Sequence, residues 1–382
     1  MPALEKQSSP ASSSGAKIKV MIVDDSVVIR GLIGRWLDAL PDMEVVARCR
    51  NGQDAVEQAG RIKPDVVVLD IEMPVMDGLT ALPKILEASP SSRVLMASTL
   101  TRRNASISIK ALTLGATDYV PKPESTRDGH ASEGFQTELV DKIRAVGQAR
   151  KSKAPRRVFA AEKTAIAKGT MAPVATAPGL QFKPASKIRP RILAVGSSTG
   201  GPKALFDLFE ALSPSLSKIP VVITQHMPPT FTAILAEHLG GSANRTCIEG
   251  EEGMLVEPGK IYVAPGGKHM LMKQEGTSVR IHLDDGAPVN FCKPAVDPML
   301  DSLIPIYGAS LLVCILTGMG HDGRDGSKRV QSEGGTIIAQ DEASSVVWGM
   351  PGAVAQAGIC HKVVPLKELP EVASKLIEGR RL

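Results

Sequence analysis

Short apolar runs such as Val66-Val67-Val68-Leu69 and Leu311-Leu312-Val313-Cys314-Ile315-Leu316 constrain this chain most. They are rich in β-branched residues and show no polar alternation. That pattern belongs to parallel strands covered on both faces, since a half-exposed strand alternates apolar with polar. The runs fall into two groups. The first is predicted at residues 19–23, 44–47, 66–69, 94–97 and 118–120, with helices at 27–39, 52–61, 80–88 and 105–114 between them. The second is predicted at 192–195, 221–224, 261–263, 311–316 and 336–339. Two doubly wound α/β domains follow, each with its site at the carboxyl ends of its strands.

A chain of 382 residues with 43% hydrophobic residues can bury two ordinary cores. The expected divisions are a disordered tail at 1–17, a first domain at 18–136, a linker at 137–187 and a second domain at 188–378. The tail is rich in Ser, Pro and Ala and has no apolar signal-peptide core. The formal net charge of +5 is concentrated at about 142–189, among Ala, Pro and Thr, which reads as a solvated linker. Aromatics are only 3% of the chain, so stacking platforms for nucleic acid are not expected. No apolar run reaches membrane length. Five cysteines, odd in number and without a C-x-x-C pair, suggest reduced, buried thiols in a cytoplasmic protein.

In the first group, Asp24 and Asp25 close one strand and Asp70 closes another. Doubly wound topology brings these ends together, and clustered carboxylates are tolerable around a hard divalent cation such as Mg²⁺. Ser98 and Lys122-Pro123 end two further strands. Acids, a cation, a hydroxyl and a lysine suit phosphoryl transfer to a carboxylate. The plainer alternative is that Asp24 or Asp25 only caps the following helix. The set Asp24-Asp25-Ser26, Asp70 with Met73-Pro74-Asp77-Gly78, Ser98, Tyr119 and Lys122-Pro123 resembles the response-regulator receiver domains. The resemblance implies a flavodoxin-like fold and phosphorylation of Asp70 by a histidine kinase. It also implies Mg²⁺ held by Asp25, Asp70 and the Glu72 carbonyl, with Asp24 acting through water. Ser98 and Tyr119 would be the switch pair, and Lys122 would meet the phosphoryl group.

In the second group, the apolar run at 192–195 enters Gly196-Ser197-Ser198-Thr199-Gly200-Gly201. This spacing fits a G-x-S-x-G elbow centred on Ser198, with N–H groups of Thr199, Gly200 and Gly201 opening a helix near an oxyanion. A P-loop would need Lys directly after its second Gly, where Pro202 stands, and a dinucleotide loop would need Gly at Ser198. A serine nucleophile needs a base and an orienting acid. Of seven histidines, His226 follows the run at 221–224 and precedes Met227-Pro228-Pro229, on the same sheet edge as Ser198. Asp322 lies in the Gly-rich loop Thr317-Gly318-Met319-Gly320-His321-Asp322-Gly323 after the most apolar run. A turn or cap aspartate, and a His321–Asp322 metal dyad, remain the alternatives there.

Residues from about 190 to 378 resemble the CheB-type methylesterase domain. The resemblance rests on Gly196–Gly201, Thr224-Gln225-His226-Met227-Pro228, Ala264-Pro265-Gly266 with His269-Met270, Pro294 with Val296-Asp297, Leu316–Gly320, Asp322-Gly323, Gln340-Asp341-Glu342 and Gly349-Met350-Pro351. It implies a Rossmann-like esterase with Ser198, His226 and Asp322 as triad, and Thr199, Gly200 and Met319 in the oxyanion loop. It further implies removal of glutamate methyl esters, and deamidation of glutamines, on methyl-accepting chemotaxis receptors, without a cofactor at the serine. Family members often carry Asn at the place of His321. A receiver-controlled transcription factor and a catalytically silent receptor-docking scaffold are the competing readings. The former needs a helix-turn-helix after the linker.

Overall fold

The computed structural model describes residues 16–99, 101–122, 129–153 and 179–380. The first domain alternates β1 (Ile18–Val23), α1 (Val27–Asp38), β2 (Met43–Cys49), α2 (Gly52–Ile62), β3 (Val66–Asp70), α3 (Gly78–Ala88), β4 (Arg93–Thr99), α4 (Arg102–Thr113), β5 (Asp118–Lys122) and α5 (Gly129–Lys153). Its five strands are all parallel, in the order β2-β1-β3-β4-β5. Every side chain of β3 is buried, as its unbroken apolar run requires. The winding direction reverses between β1 and β3, which brings Asp24 and Asp70 to neighbouring strand ends. Helix α1 is capped by Ser26, whose Oγ accepts from the Ile29 N–H, so neither Asp24 nor Asp25 serves as its cap.

The second domain carries a seven-stranded parallel sheet, helices on both faces and a hairpin. Its elements are β6 (Ile192–Ser197), α6 (Gly201–Leu212), β7 (Val221–Gln225), α7 (Phe231–Ala243), β8 (Cys247–Glu249), β9 (Ile261–Val263), β10 (His269–Glu275), β11 (Ser278–Asp284), α8 (Val296–Tyr307), β12 (Leu311–Ile315), α9 (Arg324–Ser332), β13 (Thr336–Gln340), α10 (Met350–Gln356), β14 (Lys362–Val364) and α11 (Leu369–Glu378). The sheet order is β14-β13-β12-β6-β7-β9-β8, and β10 pairs with β11 alone and antiparallel. The order runs outward from β6 in both directions, so the ends of β6, β7 and β12 share one crevice. Among the described residues no helix-turn-helix module follows the linker, where a transcription factor would carry one; a parallel sheet begins there instead.

The expected linker is too wide at both ends. Helix α5 runs through the predicted boundary at 136, and Phe135, Leu139, Ile143 and Val146 are buried in the first domain's core. Their spacing of four, four and three residues forms one helical face, which the basic composition around them obscures. At the other end, the Lys183 N–H donates to the Cys360 carbonyl and the Ser186 N–H to Thr336 Oγ1, both in the second domain. Residues 154–178, most of residues 1–17, and Pro123 lie outside the described residues. Sequence periodicity also missed β8, β14 and the β10–β11 hairpin, two of which are only three residues long.

The two domains touch. Helix α4 lies against α7, the Tyr119 and Phe231 rings stack with centroids 4.4 Å apart, and Arg102 pairs with Glu237 at 2.9 Å. Val346 and Val347, from the loop between β13 and α10, pack on the first domain's core.

Candidate functional sites

In the first domain, one carboxylate oxygen from each of Asp24, Asp25 and Asp70 lies within 4.8 Å of the others. Three hard oxygen donors at this separation fit a Mg²⁺ ion. Asp24 and Asp70 are buried and Asp25 is exposed, so the cluster opens on one side. There the exposed Glu72, with Pro74 and Arg103, lines a cleft of about 580 Å³. Lys122 Nζ stands 2.6 Å from both Asp24 Oδ2 and Asp70 Oδ1. Burial pushes the Asp70 carboxyl up to about 6, against the pull of Lys122 and with repulsion from Asp24 adding to the rise. Gly78 is required by this crowding, because a Cβ there would sit 2.0 Å from the Asp70 carbonyl oxygen. Ser98 Oγ shares a hydrogen bond with Ser108 Oγ at 2.9 Å, on α4. Tyr119 is buried under Phe231, with Lys142 Nζ 4.8 Å from its ring centre.

In the second domain, strand pairing sets Ser197 opposite Gln225, so Ser198 and His226 are the next residues at adjacent carboxyl ends. The two serines differ. Ser197 is fully buried and donates from Oγ to Gln225 Oε1 at 2.6 Å, whereas Ser198 is half-buried and makes no side-chain hydrogen bond among the described residues. The Ser198 N–H donates to the Thr317 carbonyl at 3.0 Å, which ties the elbow to the loop after β12. Gly200 has φ +76, and a Cβ there would meet Val346 at 2.6 Å. Of the three N–H groups expected to face an oxyanion, that of Gly201 is already used, donating to the Ser198 carbonyl at 2.7 Å. Thr199 is buried, and its hydroxyl lacks a partner among the described residues. Met319 is 37% exposed beside this loop.

His226 Nε2 and Asp322 Oδ2 are 2.8 Å apart. Asp322 is buried and accepts three further bonds, from the Val296 N–H (2.6 Å), the Asp297 N–H (3.2 Å) and Asn290 Nδ2 (3.0 Å). Burial works to raise this carboxyl, but His226, the Val296 N–H and Asn290 outweigh it and hold Asp322 below the ordinary carboxylate value. For His226, burial opposes the charge, yet the hydrogen bonds of Asp322 and Cys292 lift its pKa to about 9. This geometry disfavours the simple turn or cap role for Asp322. The neighbouring His321 is exposed, and among the described residues it and Asp322 belong to no group of three or more side chains placed to hold a metal ion.

Sequence reasoning missed two neighbours. The expectation of buried packing thiols holds for Cys49, Cys247, Cys314 and Cys360, but Cys292 is half-buried with Sγ 3.3 Å from His226 Nδ1. Asn290 bridges Asp322 and Asp297, its Nδ2 lying 3.1 Å from Asp297 Oδ2. No local pattern marks either residue, because 66 residues separate Cys292 from His226 and 32 separate Asn290 from Asp322.

Comparison with known proteins agrees with this division. The CheB methylesterase family model matches residues 193–373, and the response regulator receiver domain model matches residues 20–132. A protein-glutamate methylesterase/protein-glutamine glutaminase of Rhodopseudomonas palustris (strain BisB5) is 53% identical over 380 residues, covering 97% of this chain and 98% of the relative. One of Bradyrhizobium diazoefficiens, from a group 2 operon, is 52% identical over 386 residues, covering 98% and 97%. The solved CheB methylesterase catalytic domain of Thermotoga maritima is 40% identical and covers 50% of this chain and all of that one, with a TM-score of 0.48. The chain is therefore an enzyme of the hydrolase class and belongs to the protein-glutamate methylesterase/protein-glutamine glutaminase family, with a receiver domain in front of its CheB methylesterase domain.

Proposed function

We propose that the chain is a phosphorylation-regulated serine esterase acting on methyl-esterified glutamates of methyl-accepting chemotaxis receptors in the cytoplasm. The observation that carries this reading is the 2.8 Å contact of His226 with Asp322 on the sheet edge that also presents Ser198. With Nε2 donating to Asp322, Nδ1 is the nitrogen left to take a proton. The Cys292 sulfur, 3.3 Å from Nδ1, is a weak hydrogen-bonding partner there and yields readily to the Ser198 hydroxyl. Ser198 Oγ attacks the ester carbonyl and its proton passes to His226, while Asp322 stabilises the imidazolium. The N–H groups of Thr199 and Gly200 and the Met319 loop face the oxyanion. Methanol leaves with the proton from His226, water hydrolyses the acyl-enzyme, and glutamate returns. A glutamine amide enters the same path and releases ammonia.

In the receiver domain a histidine kinase phosphorylates Asp70. Asp25, Asp70 and the Glu72 carbonyl would hold Mg²⁺, with Asp24 acting through water, and the ion would supply positive charge for the anionic oxygens. Ser98 and Lys122 turn toward the phosphoryl group, and Tyr119, stacked on Phe231, moves with them. Phe231 opens α7 five residues after His226, and Val346 links α5 to Gly200, so the receiver bears on the serine site from two sides. Docked, the receiver holds turnover low; phosphorylation weakens that packing, because only differential affinity shifts the equilibrium. Methanol release from methylated receptor, with and without a small phosphodonor, tests the reading. Release that rises with the donor supports it; absence of release overturns the esterase role, and release indifferent to the donor overturns the gating.

A further inference from the structure

The segment Val289–Cys292 is a two-residue turn built against local preference. Val289 and Cys292 exchange both backbone hydrogen bonds, at 3.0 and 2.9 Å, and the residues between them, Asn290 and Phe291, have φ of 52° and 65°. Two left-handed residues in succession define the turn whose second position favours glycine. A bulky aromatic there is an outlier. The ring gains nothing inside the molecule in return. Phe291 is 104% exposed, more than any other large hydrophobic among the described residues, and it stays so with the receiver docked.

The turn is fixed on both sides of that ring. Asn290 is tied to Asp322 and Asp297, and Cys292 lies against His226. Phe291 is thus held rigidly at the rim of the serine site, one residue from the thiol that touches the base. A strained backbone and a fully wetted aromatic both oppose folding, and both are accounted for by contact made on binding.

We infer that Phe291 is a specificity-determining residue that packs against an apolar side chain of the protein substrate, beside the ester-bearing glutamate. This rests on the esterase reading above and names how that site tells a protein ester from a free one. A protein substrate offers neighbouring side chains for such a contact, and an aromatic held in one position loses little freedom on binding.

The test is steady-state methanol release from methylated receptor in membranes, using the full chain, Phe291→Gly and Phe291→Tyr, with melting temperature and sedimentation of each. Phe291→Gly is expected to lower kcat/KM by about tenfold or more, through KM with kcat nearly unchanged. Its melting temperature should hold or rise, because glycine is at ease at φ 65°. Phe291→Tyr should restore KM. An unchanged KM in Phe291→Gly overturns the inference, as does a loss confined to kcat, which would mean that the turn acts through His226. A KM change that follows loss of self-association instead assigns the ring to a second copy of the chain and overturns it too. A full chain that releases no methanol removes the esterase reading and this inference with it, whereas an active full chain matched by Phe291→Gly removes only the latter.

Discussion

Asp70 and Asp322 stand at the carboxyl edges of two parallel sheets, and their environments diverge. Both are buried, Asp70 as the last residue of β3 and Asp322 in the loop after β12, each beside a topological switch point, and each has a cationic or protonatable partner. Burial pushes Asp70 up to about 6, with Asp24 adding repulsion, whereas Asp322 is held below the ordinary value by its donors. Topology therefore brings a carboxylate to a functional edge, and the count of donors around it sets its use. Asp70, short of donors and open to a cation, suits a group that is chemically changed. Asp322, accepting four hydrogen bonds, suits a group that orients a neighbour and stays ionised.

The comparison is broken most sharply at the elbow. Ser198→Ala should lower kcat by on the order of 10⁴- to 10⁶-fold and leave receiver phosphorylation intact. Ser197→Ala, which strands a buried Gln225 oxygen, should instead cost stability, about 1–3 kcal/mol by thermal or urea unfolding.

Asp322→Asn comes next, at about 10⁴-fold in kcat. Its pH profile separates an orienting role from a merely structural one. His226 accepts a proton only when neutral, and its pKa is lifted to about 9, so activity of the wild-type chain should climb with rising pH through that region. The carboxylate is among the groups that lift it, so in Asp322→Asn the climb should move to lower pH. An unmoved profile would detach Asp322 from His226.

Asn290→Ala removes one of the donors that distinguish Asp322 from Asp70. A hydrogen bond to a charged group contributes about 1.5–3 kcal/mol, so kcat should fall by roughly ten- to a hundredfold. The smallest effect is expected at the domain contact. Tyr119→Ala deletes a stacked pair of about 0.5–1.5 kcal/mol and should raise resting methanol release by roughly two- to tenfold, with a smaller response to phosphodonor. A lowered resting rate would reverse the proposed sense of the contact.

Much of this arrangement is legible in the chain itself. Unbroken apolar runs predict the long parallel strands, and residues closing those runs, such as Asp70 and His226, are displayed at one edge by topology alone. Asp322 is one step harder, since it sits in a loop after β12 and only its glycine neighbours mark it. Cys292 and Asn290 are invisible to pattern, because they reach the site through a tight turn far along the chain. Helix α5 is hidden for a different reason, as its charged residues dominate the composition while four apolar positions set its packing.

The identity of the nucleophile can be read by covalent mapping. The full chain would be treated with a fluorophosphonate and digested, and the modified residue located by mass spectrometry. Phosphonylation is expected at Ser198, strongly reduced in His226→Ala, with methanol release lost in step with labelling. Modification at Ser197 or Cys292, or an enzyme that still releases methanol once Ser198 is fully labelled, would contradict it.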